Sequence, residues 1–134
     1  GILAQISPDG QLLAFNQGHP APLLRTADGD IRFIEPDEPV PPFGLTGLAG
    51  SGDVLHSVTR LALRPGDRLL LYTDGLSEAR DRDGRFYPLG ERAGPLLGEG
   101  SPEEALRRVR ADVAAFTGAA PDDDSALLLM EFAP

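Results

Sequence analysis

The 134 residues carry 12 basic and 21 acidic side chains, a formal charge of −9, so one domain is expected, and no nucleic-acid partner, since counterion release needs a basic face. Cysteine is absent and histidine occurs twice, which excludes disulfides, thiolate zinc sites, cysteine nucleophiles and a three-histidine zinc centre. No apolar run approaches the roughly 18 residues that cross a bilayer, and no basic-headed signal peptide opens the chain, so a cytoplasmic module without membrane contact is expected.

The chain starts Gly1-Ile2-Leu3, already in strand pattern, and is expected to be a piece of a longer protein. Ile2, Ala4 and Ile6 alternate with Leu3 and Gln5, the period of a half-buried strand. Ser7-Pro8-Asp9-Gly10 turns the chain, and 11–16 returns as the second arm of a hairpin. Pro20 to Arg25 is extended because proline biases its neighbours towards β geometry. A turn at Ala27-Asp28-Gly29-Asp30 leads into a strand over 31–34. The proline- and glycine-rich stretch 35–53 cannot supply a central strand, and a loop of that length is often functional.

Strand pattern resumes over 54–63. Arg64-Pro65-Gly66-Asp67 then turns into Arg68-Leu69-Leu70-Leu71-Tyr72, whose three leucines predict a strand covered on both faces. Thr73-Asp74-Gly75 follows at once, and Asp81 to Gly84 is a further turn. A short helix around 90–97 is interrupted by Pro95. The clearest helix is 102–116: Ser101 with Glu104 forms a capping box, Pro102 opens it and Gly118 closes it. Its Leu106, Val109, Val113 and Phe116 make one apolar stripe that packs on a sheet. Asp122-Asp123-Asp124 precedes a final strand over 126–132.

Two aspartates stand out by position. Asp74 follows the most buried strand, and Asp123 leads into another. Carboxylates held at the ends of neighbouring strands make a hard-oxygen site suited to Mg²⁺ or Mn²⁺. The same residues also read as a plain Asp-Gly turn and a solvated acidic loop. Other chemistries fail: a phosphoaspartyl hydrolase wants aspartate at Tyr72, an EF-hand wants acidic ligands at Ala79 and Gly90, and a kinase site needs a lysine, which the chain lacks. No Gly-x-Ser-x-Gly nucleophile elbow occurs.

Three runs carry a resemblance. Asn16-Gln17-Gly18-His19-Pro20-Ala21-Pro22-Leu23-Leu24 resembles the Asn-Ala-Gly-His-Pro-Pro-Pro-Leu stretch of SpoIIE-like phosphatases, bacterial members of the metal-dependent type 2C (PPM) serine/threonine phosphatases. Residues 65–80, centred on Thr73-Asp74-Gly75, with Gly84-Arg85-Phe86 after them, resemble that family's most diagnostic run. Asp123-Asp124-Ser125-Ala126-Leu127-Leu128 is similar to its closing motif. The resemblance implies an α+β fold, an antiparallel β-sandwich flanked by helices, with residues 1–134 as the C-terminal portion of the domain. It implies a two-metal site for Mn²⁺ or Mg²⁺, with Asp74 and Asp123 as metal ligands and Asp122 and Asp124 as fallbacks. Metal-activated water would then hydrolyse phosphoserine or phosphothreonine on a small phosphoprotein, in this family often an anti-sigma-factor antagonist.

The family's Gly-Asp-x-x-Gly motif, whose aspartate bridges the metals, does not occur before residue 16, and Gly66-Asp67 sits in a turn. The N-terminal part of the fold is therefore expected to be missing, the chain alone to be inactive or nearly so, and uncovered apolar surface to drive self-association. His19 is expected to bond backbone rather than metal, and His56 to be a surface or packing residue. The rival readings are a non-catalytic phosphatase-fold module that docks a signalling partner, and an unrelated metal-binding scaffold.

Overall fold

The computed structural model describes residues 1–35, 58–118 and 125–133. Strands β1 (Ile2–Ile6) and β2 (Gln11–Asn16) form the expected hairpin, with Ile2 opposite Asn16 and Ile6 opposite Leu12. Its turn depends on Gly10, at φ 87°. A Cβ there would stand 2.5 Å from the Leu63 carbonyl oxygen and 3.2 Å from the Phe132 ring. β5 (Val58–Ala62) pairs with the other side of β2 and completes a three-stranded antiparallel sheet. The strand expected over 54–63 is thus a ladder over Val58–Ala62; its first four residues, His56 and most of the 35–53 loop lie outside the described residues.

The second sheet has the order β4-β3-β6-β7, from β3 (Leu23–Arg25), β4 (Ile31–Phe33), β6 (Arg68–Tyr72) and β7 (Leu127–Glu131), all antiparallel. β6 shows why its leucines are consecutive. Leu69 and Leu71 face the first sheet, in a cluster with Leu12, Leu24, Ile34 and Leu63. Leu70 and Tyr72 face the helices, with Leu23, Leu76, Leu97, Val109 and Leu129. The strand is the middle of three layers: sheet, sheet, helices. Each such leucine is worth about 1.5–3 kcal/mol of transfer free energy.

The helical layer is α2 (Leu89–Leu96) and α3 (Pro102–Thr117). α3 opens on the predicted capping box, with Ser101 Oγ accepting from the Glu104 N–H and the Glu104 carboxylate accepting from the Ser101 N–H, and closes on Gly118 at φ 70°. Pro95 lies in the last turn of α2, where it forfeits one helical hydrogen bond. Two charged residues brace the start of β6. Buried Arg68 donates to Glu131, to the Leu97 carbonyl and to the Gly100 carbonyl, each at 2.7 Å. Buried Asp67 accepts from the N–H groups of Ala27 and Arg64, both at 2.8 Å. Asp67 thereby clamps two turns together, a structural duty at the end of β6 remote from Asp74.

Candidate functional site

The other end of β6 is where the three motif runs meet. Tyr72 closes the strand and donates its hydroxyl to the Ala21 carbonyl at 2.6 Å. Burial pushes its phenol up to about 12, so the group stays protonated as a donor at neutral pH. The Asn16–Leu24 run arrives at that contact through a closed turn. Asn16 Oδ1 accepts from the His19 N–H and Asn16 Nδ2 donates to the His19 carbonyl, both at 3.0 Å, with Gly18 at φ 65°. His19 Nδ1 lies 2.9 Å from the Pro20 carbonyl oxygen and donates to it, since a carbonyl can only accept. The expected backbone-bonding role of His19 is what the structure shows.

Thr73 joins the third run. Its N–H donates to the Ala126 carbonyl at 3.1 Å, and its Oγ1 accepts from the Ala126 N–H at 3.0 Å. Thr73 is extended and is the N-cap of α1 (Asp74–Ser77), but its hydroxyl is spent on Ala126 rather than on the helix. Asp74 to Ser77 therefore form one helical turn, not the plain turn that Asp-Gly alone suggests; Leu76, 3% exposed, holds it to the core. Gly75 allows the close approach behind it, because a Cβ would meet Ser125 Cβ at 3.1 Å and its Cα at 3.4 Å.

Asp74 thus sits at the head of α1, exposed, with no described residue donating to its carboxylate. It projects from a backbone held beside Ser125, the residue that follows the acidic triplet. Asp122, Asp123 and Asp124 lie outside the described residues. Among the described residues no three His, Cys, Asp or Glu side chains are grouped to hold a metal. What is present fits a hard divalent cation in donor chemistry, an acceptor-only carboxylate whose oxygens take no hydrogen bond from the described residues. Sequence reading singles out Asp74 but not its supports. Thr73, Gly75 and Tyr72 earn their roles through partners far along the chain, and the Thr-Asp-Gly triplet was the one local signal for two of them.

The antiparallel sandwich with helices packed on one sheet is that of the type 2C protein phosphatases, and solved structures bear this out. The RsbU and RsbW domains of Rv1364c from Mycobacterium tuberculosis match at 26% identity and TM-score 0.68 over 99% of this chain and 36% of that one. The Mn-presoaked phosphatase domain of the cell fate determinant SpoIIE from Bacillus subtilis matches at 15% identity and TM-score 0.71, over 98% of this chain and 56% of that one. The catalytic domain of the serine/threonine phosphatase PstP, in complex with two manganese ions, matches at 19% identity and TM-score 0.60, over 94% and 54%. The model of the family Stage II sporulation protein E (SpoIIE) matches residues 1–133. The chain belongs to that family. It spans between about a third and somewhat over half of the structures named.

Proposed function

We propose that residues 1–134 are the C-terminal portion of a metal-dependent protein serine/threonine phosphatase domain. Its substrate is a phosphoserine or phosphothreonine on a small regulatory phosphoprotein such as an anti-sigma-factor antagonist. The observation that supports this most is the convergence of three motif runs on one end of β6, through Tyr72 to Ala21 and Thr73 to Ala126. Family membership supports the phosphatase class.

Asp74 and Asp123 would hold Mn²⁺ or Mg²⁺, with Asp122 and Asp124 beside them in the triplet. Bound ions of this kind lower the pKa of a water and neutralise charge growing on phosphate oxygens. The chain's own part is placement. The Thr73–Ala126 hydrogen-bond pair fixes the strand end on which Asp74 rides, and Gly75 lets the neighbouring strand close to it. Leu76, buried in the core, keeps the one-turn helix from rotating the carboxylate away. The chain holds no Gly-Asp-x-x-Gly motif on a strand to bridge two ions, so turnover by these residues alone is expected to be negligible.

The test is a calorimetric titration of Mn²⁺ into the chain and into Asp74→Asn. Saturable binding weakened by the substitution supports the reading. Binding indifferent to Asp74, or brisk Mn²⁺-dependent turnover by residues 1–134, would refute the assignment of Asp74 or the need for a bridging aspartate, respectively.

A further inference from the structure

Beyond α1 the chain folds into a small hairpin whose tip the proposed chemistry does not use. The Tyr87 N–H donates to the Ala79 carbonyl at 2.8 Å, the Asp81 N–H to the Arg85 carbonyl at 2.9 Å, and Arg80 bridges to Phe86. Asp81 Oδ1 accepts from the N–H groups of Asp83 and Arg85, both at 2.9 Å, and Gly84 turns the tip at φ 81°. These bonds fix the backbone before any partner arrives. At its root Tyr87 is buried and donates its hydroxyl to Asp112 at 2.6 Å.

The rigid tip displays an unusual face. Phe86 is 55% exposed, and the Arg80 guanidinium lies 4.3 Å over its ring. The two acidic residues of the tip do not cancel that cation: Arg85 pairs with both Asp81 and Asp83, at 3.2 and 2.8 Å, and Asp81 also serves backbone N–H groups. Arg82 adds a second guanidinium, against Gly118 at the end of α3. In a chain of net charge −9, this presents an aromatic plate capped by a cation. Arginine and aromatic side chains are the residues that most often anchor interfaces, and a preformed anchor loses little entropy on binding.

Its position selects the partner. α1 rises only about 6 Å, so the tip begins within a short reach of Asp74. A protein interface of standard size covers about 800 Å² on each partner, a disc of about 16 Å radius. Arg80 lies six residues after Asp74, so a phosphoprotein presenting its phosphoresidue at Asp74 is large enough to reach the tip as well.

We propose that Arg80 stacked on Phe86 is a docking contact for an acidic, apolar-bearing segment flanking the phosphoresidue of the substrate protein. This rests on the phosphatase reading for its choice of partner. The probes are phosphoserine peptides flanked either by Asp, Glu and Leu or by Lys and Ser, followed by fluorescence anisotropy on residues 1–134. The acidic peptide should bind more tightly, Phe86→Ala and Arg80→Ala should each weaken it by about tenfold, and Arg80→Glu should shift preference towards the Lys-flanked peptide. Circular dichroism of each variant checks the fold, which an exposed tip should leave intact. Equal affinity for both peptides, no binding of the acidic one, or variants within twofold of the parent would overturn the proposal. The Mn²⁺ titration is run on the same variants. Lost metal binding in Asp74→Asn with peptide binding intact separates the two sites. Absent metal binding with a Phe86-dependent peptide affinity would overturn Asp74 as a cation ligand in these residues alone and leave the docking contact standing.

Discussion

Asp67 offers the sharpest test of how the sheet is braced. Its two carboxylate oxygens accept one N–H each, from Ala27 and from Arg64, and the side chain is only 4% exposed. Asp67→Ala strands both donors. A stranded buried donor costs about 1–3 kcal/mol, so the loss for two is about 2–6 kcal/mol, towards the lower end if water enters the vacated space. Asp67→Asn is the telling variant. An amide has one accepting oxygen, and its NH₂ would face the second N–H, donor against donor. Asparagine should therefore cost nearly as much as alanine, despite matching aspartate in size. Urea unfolding followed by circular dichroism reads this directly. With a slope of about 2 kcal/mol per molar, the midpoint should fall by about 1–3 M in both variants, the slope unchanged. An Asn variant within about 0.5 kcal/mol of the parent would show that one acceptor suffices and that the clamp is not what holds the two turns.

Gly10→Ala must adopt positive φ and push a methyl to within 2.5 Å of a backbone oxygen; a loss of at least about 2 kcal/mol is expected in the same assay, and near-neutrality would contradict the packing described. Burial raises both tyrosines, Tyr72 to about 12 and Tyr87 further, with the Asp112 hydrogen bond adding to the second. Because the raised groups favour the neutral form, their contribution is complete below pH about 10 and fades as pH climbs through the folded values. Phenolate absorbance should accordingly appear only alongside loss of near-ultraviolet dichroism; a tyrosine ionising near 10 in the folded chain would refute it. The hydrogen bond from Arg92, and then that from Tyr87, holds Asp112 below its ordinary value. Its contribution is present above pH about 4 and lost on further acidification. The stability gap between the parent and Asp112→Asn should thus narrow below pH 4 in thermal melts, and a constant gap would argue against an ionic role.

The elements with strong local signals were readable in advance. The β1–β2 hairpin carried a period of two and a glycine turn, α3 carried both of its caps, and Leu69-Leu70-Leu71 announced a strand with two buried faces. The turn of helix at Asp74 was not readable, because Asp-Gly favours a turn locally and only the burial of Leu76 tips it into a helix. Asp67 looked like one more turn residue, since one of its two partners, the Ala27 N–H, lies forty residues away. The same applies at the site. The place of Asp74 directly after β6 was legible, but the hydrogen-bond pair beside it belongs to Ala126. Periodicity and spacing report on neighbours in sequence, and these contacts are between strangers.

The Thr73–Ala126 junction also sets an order of events during folding. The two residues are fifty-three positions apart, and closing a loop of that size costs about 3.5 kcal/mol of chain entropy before any contact repays it. Between them lie α2 and α3, elements of local contacts that can form early. The β6–β7 ladder, which brings Ser125 against Gly75, has to wait for that closure. Asp74 would acquire its neighbour only with that closure, which also seats α3 on β7. In a stopped-flow refolding experiment, the helical signal would recover no later than the β6–β7 pairing.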